Sequence, residues 1–501
     1  MAIVISITAP FAEGAFDEST MTAIGHDYDL VVIGSGPAGR NGAIGAAKLR
    51  KKVAIVDRKW PVGKSSTGSG TISSKTLREA VLNRLRQRAF EGRALDGRTV
   101  DGGEDKDKDH GGMADLTSRV QAVIASEAET IKSQLRCHQV DMFEGEAGFA
   151  DAHTLQIQTG RGEQPRSITA ENFLVAVGTH PESNHRIPLD GQRIFNSDQF
   201  ISLRELPRDL IIVGAGLIGI EYASLLAALG VKVTLVDQRP VLLGFVDREI
   251  VDNFCSQLRQ LGVTFRLGEK VVECGIDSEN RVFAKLDKGR SILGESLLYT
   301  VGRQGNTDRL NLAAVGLQTT DGGKLEVNEQ FRTAIPNFYA AGDVIGYPAE
   351  ELYYGSISME QGRLAACNIF GLPAVSRPQV FPYAIYAIPE ISMVGQTEQN
   401  LTVKNIAFET GIARYAELAK GQILGDGQGF LKLLFDPDSL KILGVHIIGE
   451  GAAEIIHTGQ AAMSFGGTIE YFRDTVFNYP TLAEAYKAAA WDGLKKVGMA
   501  L

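Results

Sequence analysis

The chain has 501 residues, 44% of them hydrophobic and 22% charged, with a formal net charge of −9. That length exceeds what one core fills and predicts about three domains, and an acidic balance without a Lys/Arg-rich stripe argues against a nucleic-acid partner. No apolar run approaches the roughly eighteen residues of a membrane span.

Residues 1–26 open with an apolar stretch that no Lys or Arg precedes, unlike a secretory signal. They are expected to be a tail, with Met21 as an alternative start. The four cysteines, Cys137, Cys255, Cys274 and Cys367, lie far apart without CxxC or metal-finger spacing. A reduced, cytoplasmic protein without a metal centre is expected.

From Asp29 to Asp57, an apolar run ends in Gly34-Ser35-Gly36-Pro37-Ala38-Gly39, a helical stretch follows, and a second apolar run ends on Asp57. This is the spacing of a dinucleotide-binding βαβ unit. Gly34 permits the tight turn, Gly36 lets backbone approach a pyrophosphate, and Gly39 lets helix pack on strand. The helix N-terminus offers N–H groups to phosphate, and the terminal carboxylate suits a ribose. The pattern recurs 180 residues later, from Asp209 to Asp237, with Gly214, Gly216 and Gly219 in register and twelve of twenty-nine positions identical. Two such units predict a resident flavin adenine dinucleotide (FAD) and a visiting nicotinamide dinucleotide.

After Asp57, the Gly/Ser/Thr-rich segment 59–75 is suited to a second grip on the pyrophosphate. Helices are predicted over 76–90 and 113–136, with a solvated polar loop over 91–112 between them. A strand-like run ends in Gly178-Thr179, and another, 297–303, closes the second unit. Phe338 to Val344 reads as a short strand carrying Gly342-Asp343, whose carboxylate suits a polyol chain. Beyond about Arg377 the nucleotide patterns cease. Strands over 429–435 and 442–448 then alternate with helices over 452–464 and 482–495, as in a dimerisation domain. His457 is expected to be a core or interface residue of the first of these helices.

The order of parts resembles the pyridine nucleotide-disulfide oxidoreductases, flavoproteins with two dinucleotide sites. The paired glycine units, the turn at Gly178, Gly342-Asp343 and the segment Tyr386-Ala387-Ile388-Pro389-Glu390-Ile391 carry the likeness. It implies an α/β fold of two nested Rossmann-like domains, FAD-binding (27–185 and 305–370) and NAD(P)-binding (186–304), with a C-terminal α+β dimerisation domain (371–501). The redox cysteines of the family are replaced by Ser66 and Thr71, so dithiol chemistry at this site is excluded. Its C-terminal His-Pro is replaced by Tyr479-Pro480, and a phenol of pKa near 10 is a poor base at neutral pH. In these places the chain is similar to the soluble pyridine nucleotide transhydrogenases, through Gly70-Thr71-Ile72, Gly302-Arg303-Gln304-Gly305-Asn306-Thr307, Gly342 to Pro348 and Phe477 to Tyr486. It departs from them at Gly63-Lys64-Ser65-Ser66 and at Ser73.

The resemblance implies hydride transfer between NADPH and NAD through flavin N5 in a homodimer or higher homo-oligomer, with a dehydrogenase passing electrons to quinone, dye or oxygen as the alternative and a structural flavin module as a remote one. It implies Lys75 near N5, paired with Glu221, and Thr71 against the flavin ring. It also implies Gly63, Lys64, Ser65, Ser66, Gly178 and Thr179 around the flavin, and Asp57 and Asp343 on its ribose and ribityl chain. On the nicotinamide side it implies Gly214, Gly216, Gly219 and Gly302. There Asp237 favours NAD, while Arg239 suits the 2′-phosphate of NADP.

Overall fold

The computed structural model describes residues 25–58, 71–90, 113–160, 164–182, 187–201, 203, 205–345, 355–372, 374 and 380–499. The expected tail (but for residues 25 and 26), the segment 59–70 with Gly63, Lys64, Ser65 and Ser66, and the loop 91–112 lie outside the described residues.

The first glycine unit builds a parallel sheet. Strand Tyr28–Ile33 runs between Val53–Asp57 and Arg166–Val175, which in turn pairs in parallel with Phe338–Ala340. Leu30, Val31 and Val32 are all fully buried, as expected where a parallel sheet is covered on both faces. One cover is the helix pair Pro37–Lys48 and Gly355–Ile369. Gly362 allows their close approach, since a Cβ there would stand 2.0 Å from the Ala38 carbonyl oxygen.

The second unit repeats the plan. Asp209–Val213 lies between Lys232–Asp237 and Ser296–Tyr299 in a five-stranded sheet whose pairs are all parallel. The chain passes between the two units through a two-stranded ladder, Thr179–Pro181 against Arg303–Gly305.

The C-terminal part is an antiparallel five-stranded sheet, from Tyr383–Ile385 to Glu409–Arg414 at its edges. Helices Ala452–Ser464 and Glu484–Lys496 pack on it.

One helix starts earlier than its sequence suggests. The predicted helix over 76–90 begins at Thr71, so Lys75 sits within its first turns. Ser73 and Ser74 are buried there, and tertiary packing overrides their preference for turns. The side chain of Thr71 lies outside what is described.

His457 is not in the core of this chain. Its ring is exposed and meets Gln460 Oε1 on the same helix at 2.8 Å, while Ile456 and Gly459 take the buried face.

Candidate active site

Both glycine turns close in the same way. Gly34 and Gly214 hold φ of +100° and +102°, which only glycine adopts without strain. A Cβ on Gly39 or Gly219 would stand 1.9 Å from the carbonyl oxygen of Gly34 or Gly214. The two terminal aspartates make a bond that spacing alone did not reveal. Asp57 accepts the Ser35 N–H at 2.9 Å and the Ser35 hydroxyl, and Asp237 accepts the Ala215 N–H at 2.6 Å. Each carboxylate therefore locks the residue between the first two glycines of its own unit.

The helices that follow are Pro37–Lys48 and Leu217–Ala228. Their N-caps, Gly36 and Gly216, make no side-chain capping bond. Their first N–H groups thus remain for a ligand. Gly216 faces open space, with nothing within 4 Å of its Cβ position. Gly178, at φ +64°, has the same clearance. The residues present fit two dinucleotides.

A cleft of about 990 Å³ runs along the second unit. At one end Lys75 Nζ contacts both oxygens of Glu221, at 2.8 and 2.7 Å. Glu221 is buried on the Leu217–Ala228 helix, and its Oε1 also accepts the Tyr386 N–H at 3.1 Å. The Lys75 ammonium stands 5.0 Å from the centre of the Tyr386 ring, within range of cation–π attraction. Burial raises the pKa of the Tyr386 hydroxyl, and the carboxylates of Glu390, Glu454 and Glu221 add to it. Three parts of the fold thus converge on one ammonium group, and Tyr386 is a site residue that local sequence pattern did not single out.

At the other end lie Asp237 and Arg239. Arg239 donates from Nε to Asp237 Oδ1 at 2.9 Å and from Nη2 to Oδ2 at 2.8 Å. Burial pushes the Asp237 carboxyl up, but the Arg239 side chain and backbone N–H outweigh it and hold the pKa below the ordinary range. Glu269 also lines this end, and its Oε2 is buried with no hydrogen-bond partner among the described residues. No residue-type signal in the sequence marked it.

Asp343 lines the cleft too. Burial raises its pKa and the nearby Arg303 opposes the shift, while the Ser358 hydroxyl donates to its Oδ1 at 3.3 Å. Gly342, at φ +83°, fits against Ala38, and its N–H donates to Gln361. Thr179 is engaged by Arg303, which donates to its hydroxyl at 2.7 Å and its carbonyl at 2.9 Å. Gly302 borders the cleft at φ +78°, beside Glu182.

A sequence profile described as pyridine nucleotide-disulphide oxidoreductase matches residues 28–365. The chain belongs to this family. The dimerisation-domain profile of the same oxidoreductases matches residues 381–490. The chain is 45% identical to a soluble pyridine nucleotide transhydrogenase of Mycobacterium tuberculosis (strain ATCC 25177 / H37Ra), across 94% of this chain and 98% of that protein. It is 41% identical to that of Colwellia psychrerythraea, across 94% and 99%. Among solved structures, LpdA (Rv3303c) of M. tuberculosis superposes with a TM-score of 0.82 at 25% identity, covering 92% of this chain and 99% of that one.

No thiol lines the cleft among the described residues. Its four cysteines are free. Cys255 and Cys274 are buried, and burial pushes the Cys274 thiol up to about 11. Tyr479 is 75% exposed. No helix among the described residues is long and apolar enough to cross a membrane.

Proposed function

We propose that this oxidoreductase transfers hydride between NADPH and NAD by way of a resident FAD, as a pyridine nucleotide transhydrogenase. The observation that carries the reading is the Lys75–Glu221 pair, set in a cleft beside a complete nicotinamide turn and lined by no cysteine among the described residues. The full-length likeness to transhydrogenases supports it.

FAD, when bound, supplies the two-electron carrier that both nicotinamides meet in turn. The side chains bind and orient. Lys75, tied by Glu221, presents a fixed cation where negative charge gathers, and a charge already in place needs no reorganisation during reaction. The turns beginning at Gly34 and Gly214 offer N–H groups to the two pyrophosphates, with Asp57 and Asp343 assigned to the ribose and polyol hydroxyls of FAD. Gly178 and Thr179 lie beside it, and Thr71 is assigned to its ring. Asp237 takes the NAD ribose and Arg239 the NADP phosphate. The net reaction, NADPH and NAD⁺ giving NADP⁺ and NADH, moves one hydride and no proton. Tyr479 in place of a basic residue is therefore no handicap.

The flavin unit spans 27–185 and 305–370, the nicotinamide unit 186–304, and residues 371–501 serve a homodimer. The setting is the cytoplasm, a proposal supported by the four separate thiols. No nucleic acid is a partner, consistent with the net charge of −9.

The test is anaerobic. The flavoprotein is reduced with NADPH, thio-NAD is added, and thionicotinamide absorbance is followed beside a quinone control. Rapid transfer to thio-NAD, lost in Lys75→Ala and insensitive to thiol alkylation, is expected. Reduction by NADPH with brisk quinone turnover but no transfer to thio-NAD would sink the reading.

A further inference from the structure

Arg78 lies one helical turn beyond Lys75 on the Thr71–Phe90 helix, and its side chain is only 7% exposed. A buried guanidinium is costly unless its donors are met. Here they are met by the C-terminal domain. Nε donates to the Ala387 carbonyl at 3.0 Å, and Nη2 stands 3.6 Å from the Glu390 carboxylate, itself 7% exposed. Nη1 pairs with Glu79 on the same helix at 2.9 Å. About two turns further on, Arg86 pairs with Glu450, so the same helix meets the same domain twice.

The turn that Arg78 grips is the one that holds Glu221. Tyr386, just before Ala387, gives its N–H to Glu221 Oε1. Ile388, just after it, gives its N–H to Ser224 Oγ at 3.0 Å, and that hydroxyl donates to the Glu221 carbonyl at 2.8 Å. Glu221 therefore has its carboxylate and its backbone fixed by residues on either side of the Arg78 contact. Without the Tyr386 N–H, only the Lys75 ammonium would orient a terminal torsion that is intrinsically broad.

We propose that Arg78 is a positioning residue for hydride transfer, holding the 386–390 turn so that Glu221 fixes the ammonium of Lys75. The inference rests on the reading of Lys75 given above. A planar fork is needed, because a lysine meets either the carbonyl or the carboxylate but does not span both.

The experiment is single-turnover reduction of the bound flavin by NADPH, without oxygen or any acceptor, in the holoenzyme. In Arg78→Met the limiting rate is expected to fall tenfold or more while the NADPH Kd moves less than threefold. Arg78→Lys should recover part of the rate. The decisive comparison is the Glu221→Gln background, where Arg78→Met should cost less than a further twofold, because the two residues act through one linkage. An unchanged rate in Arg78→Met would overturn the proposal, as would a loss that multiplies undiminished in the Glu221→Gln background. If Arg78→Met is recovered without flavin, Arg78→Lys carries the same comparison. Since no acceptor is present, a failure of transfer to thio-NAD bears on the proposed function and leaves this test intact.

Discussion

Replacing Arg239 by Gln should divide the two nicotinamide nucleotides. The guanidinium is joined to Asp237 by two bonds below 3 Å, yet its side chain is 58% exposed, so it is free to turn toward a phosphate at the cleft end. A hydrogen bond to a charged group contributes about 1.5–3 kcal/mol, and at this exposure the lower figure applies. Removing Arg239 also leaves the Asp237 carboxylate uncompensated before a dianionic phosphate, a repulsion of about 1 kcal/mol under the water-like screening of so exposed a site. The sum, about 2.5 kcal/mol, corresponds to roughly seventyfold in Kd. A ligand without the phosphate loses only the brace on Asp237, about 1 kcal/mol or fivefold at most. Calorimetry with 2′-phospho-ADP-ribose and ADP-ribose separates the two without any hydride transfer, and the ratio of their Kd values should rise by roughly tenfold or more. Equal weakening of both ligands, or none of either, would refute the assignment.

Gly219→Ala places a Cβ 1.9 Å from the Gly214 carbonyl oxygen. The second turn should open and calorimetric ADP-ribose binding should disappear, with flavin content, read from absorbance, largely kept; a normal ADP-ribose Kd would contradict this. Lys432 is fully buried and meets Asp247, Glu249 and Glu398 at 2.9 to 3.0 Å. Lys432→Met strands the buried Asp247 and should cost about 3 kcal/mol or more, seen as a lower thermal midpoint; an unmoved midpoint counts against it. Burial raises the Asp343 pKa despite Arg303, so the folded flavin-free chain binds this proton more tightly than the unfolded one. The associated stability is complete below the ordinary value of 3.8 and is lost as pH rises through the raised native value. Asp343→Asn should flatten that fall in urea titrations across this window, and an unaltered slope would show that another group is responsible.

The parts of the molecule that can be read from its sequence are those whose constraints are local. A glycine at φ near +100° and another whose Cβ would stand 1.9 Å from a carbonyl oxygen lie within six residues of each other, so the pattern survives in the string and repeats with it. Buried parallel strands also announce themselves as apolar runs. The early start of the helix at Thr71 was hidden because Thr71-Ile72-Ser73-Ser74 has the composition of a loop, and only packing from distant segments outweighs that preference. His457 departs in the opposite direction, since its apolar neighbours suggested a core or interface place. The ring projects from the exposed face of its helix, which excludes the core of this chain and is compatible with an interface.

The Lys75–Glu221 ion pair belongs to neither category. Lys75 and Glu221 are 146 positions apart, and nothing in the local pattern of either distinguishes it from a surface residue, so only likeness to a whole family brought them together. Arg78 was less legible still, because an arginine on a helix with a mixed polar face normally reaches water. Its burial depends on Ala387 and Glu390, 309 and 312 positions further along. A site assembled from the Thr71–Phe90 helix, the second glycine unit and the C-terminal domain has its chemistry in contacts between units. Each unit can be inferred from its own periodicity. The contacts require the three units to be docked, and the physical signal that they matter is the burial of charge at the junction. An arginine and a glutamate that lose water together are expensive to keep, and their partners in this chain lead by two hydrogen bonds and one peptide unit to the ammonium group on which hydride transfer is proposed to depend.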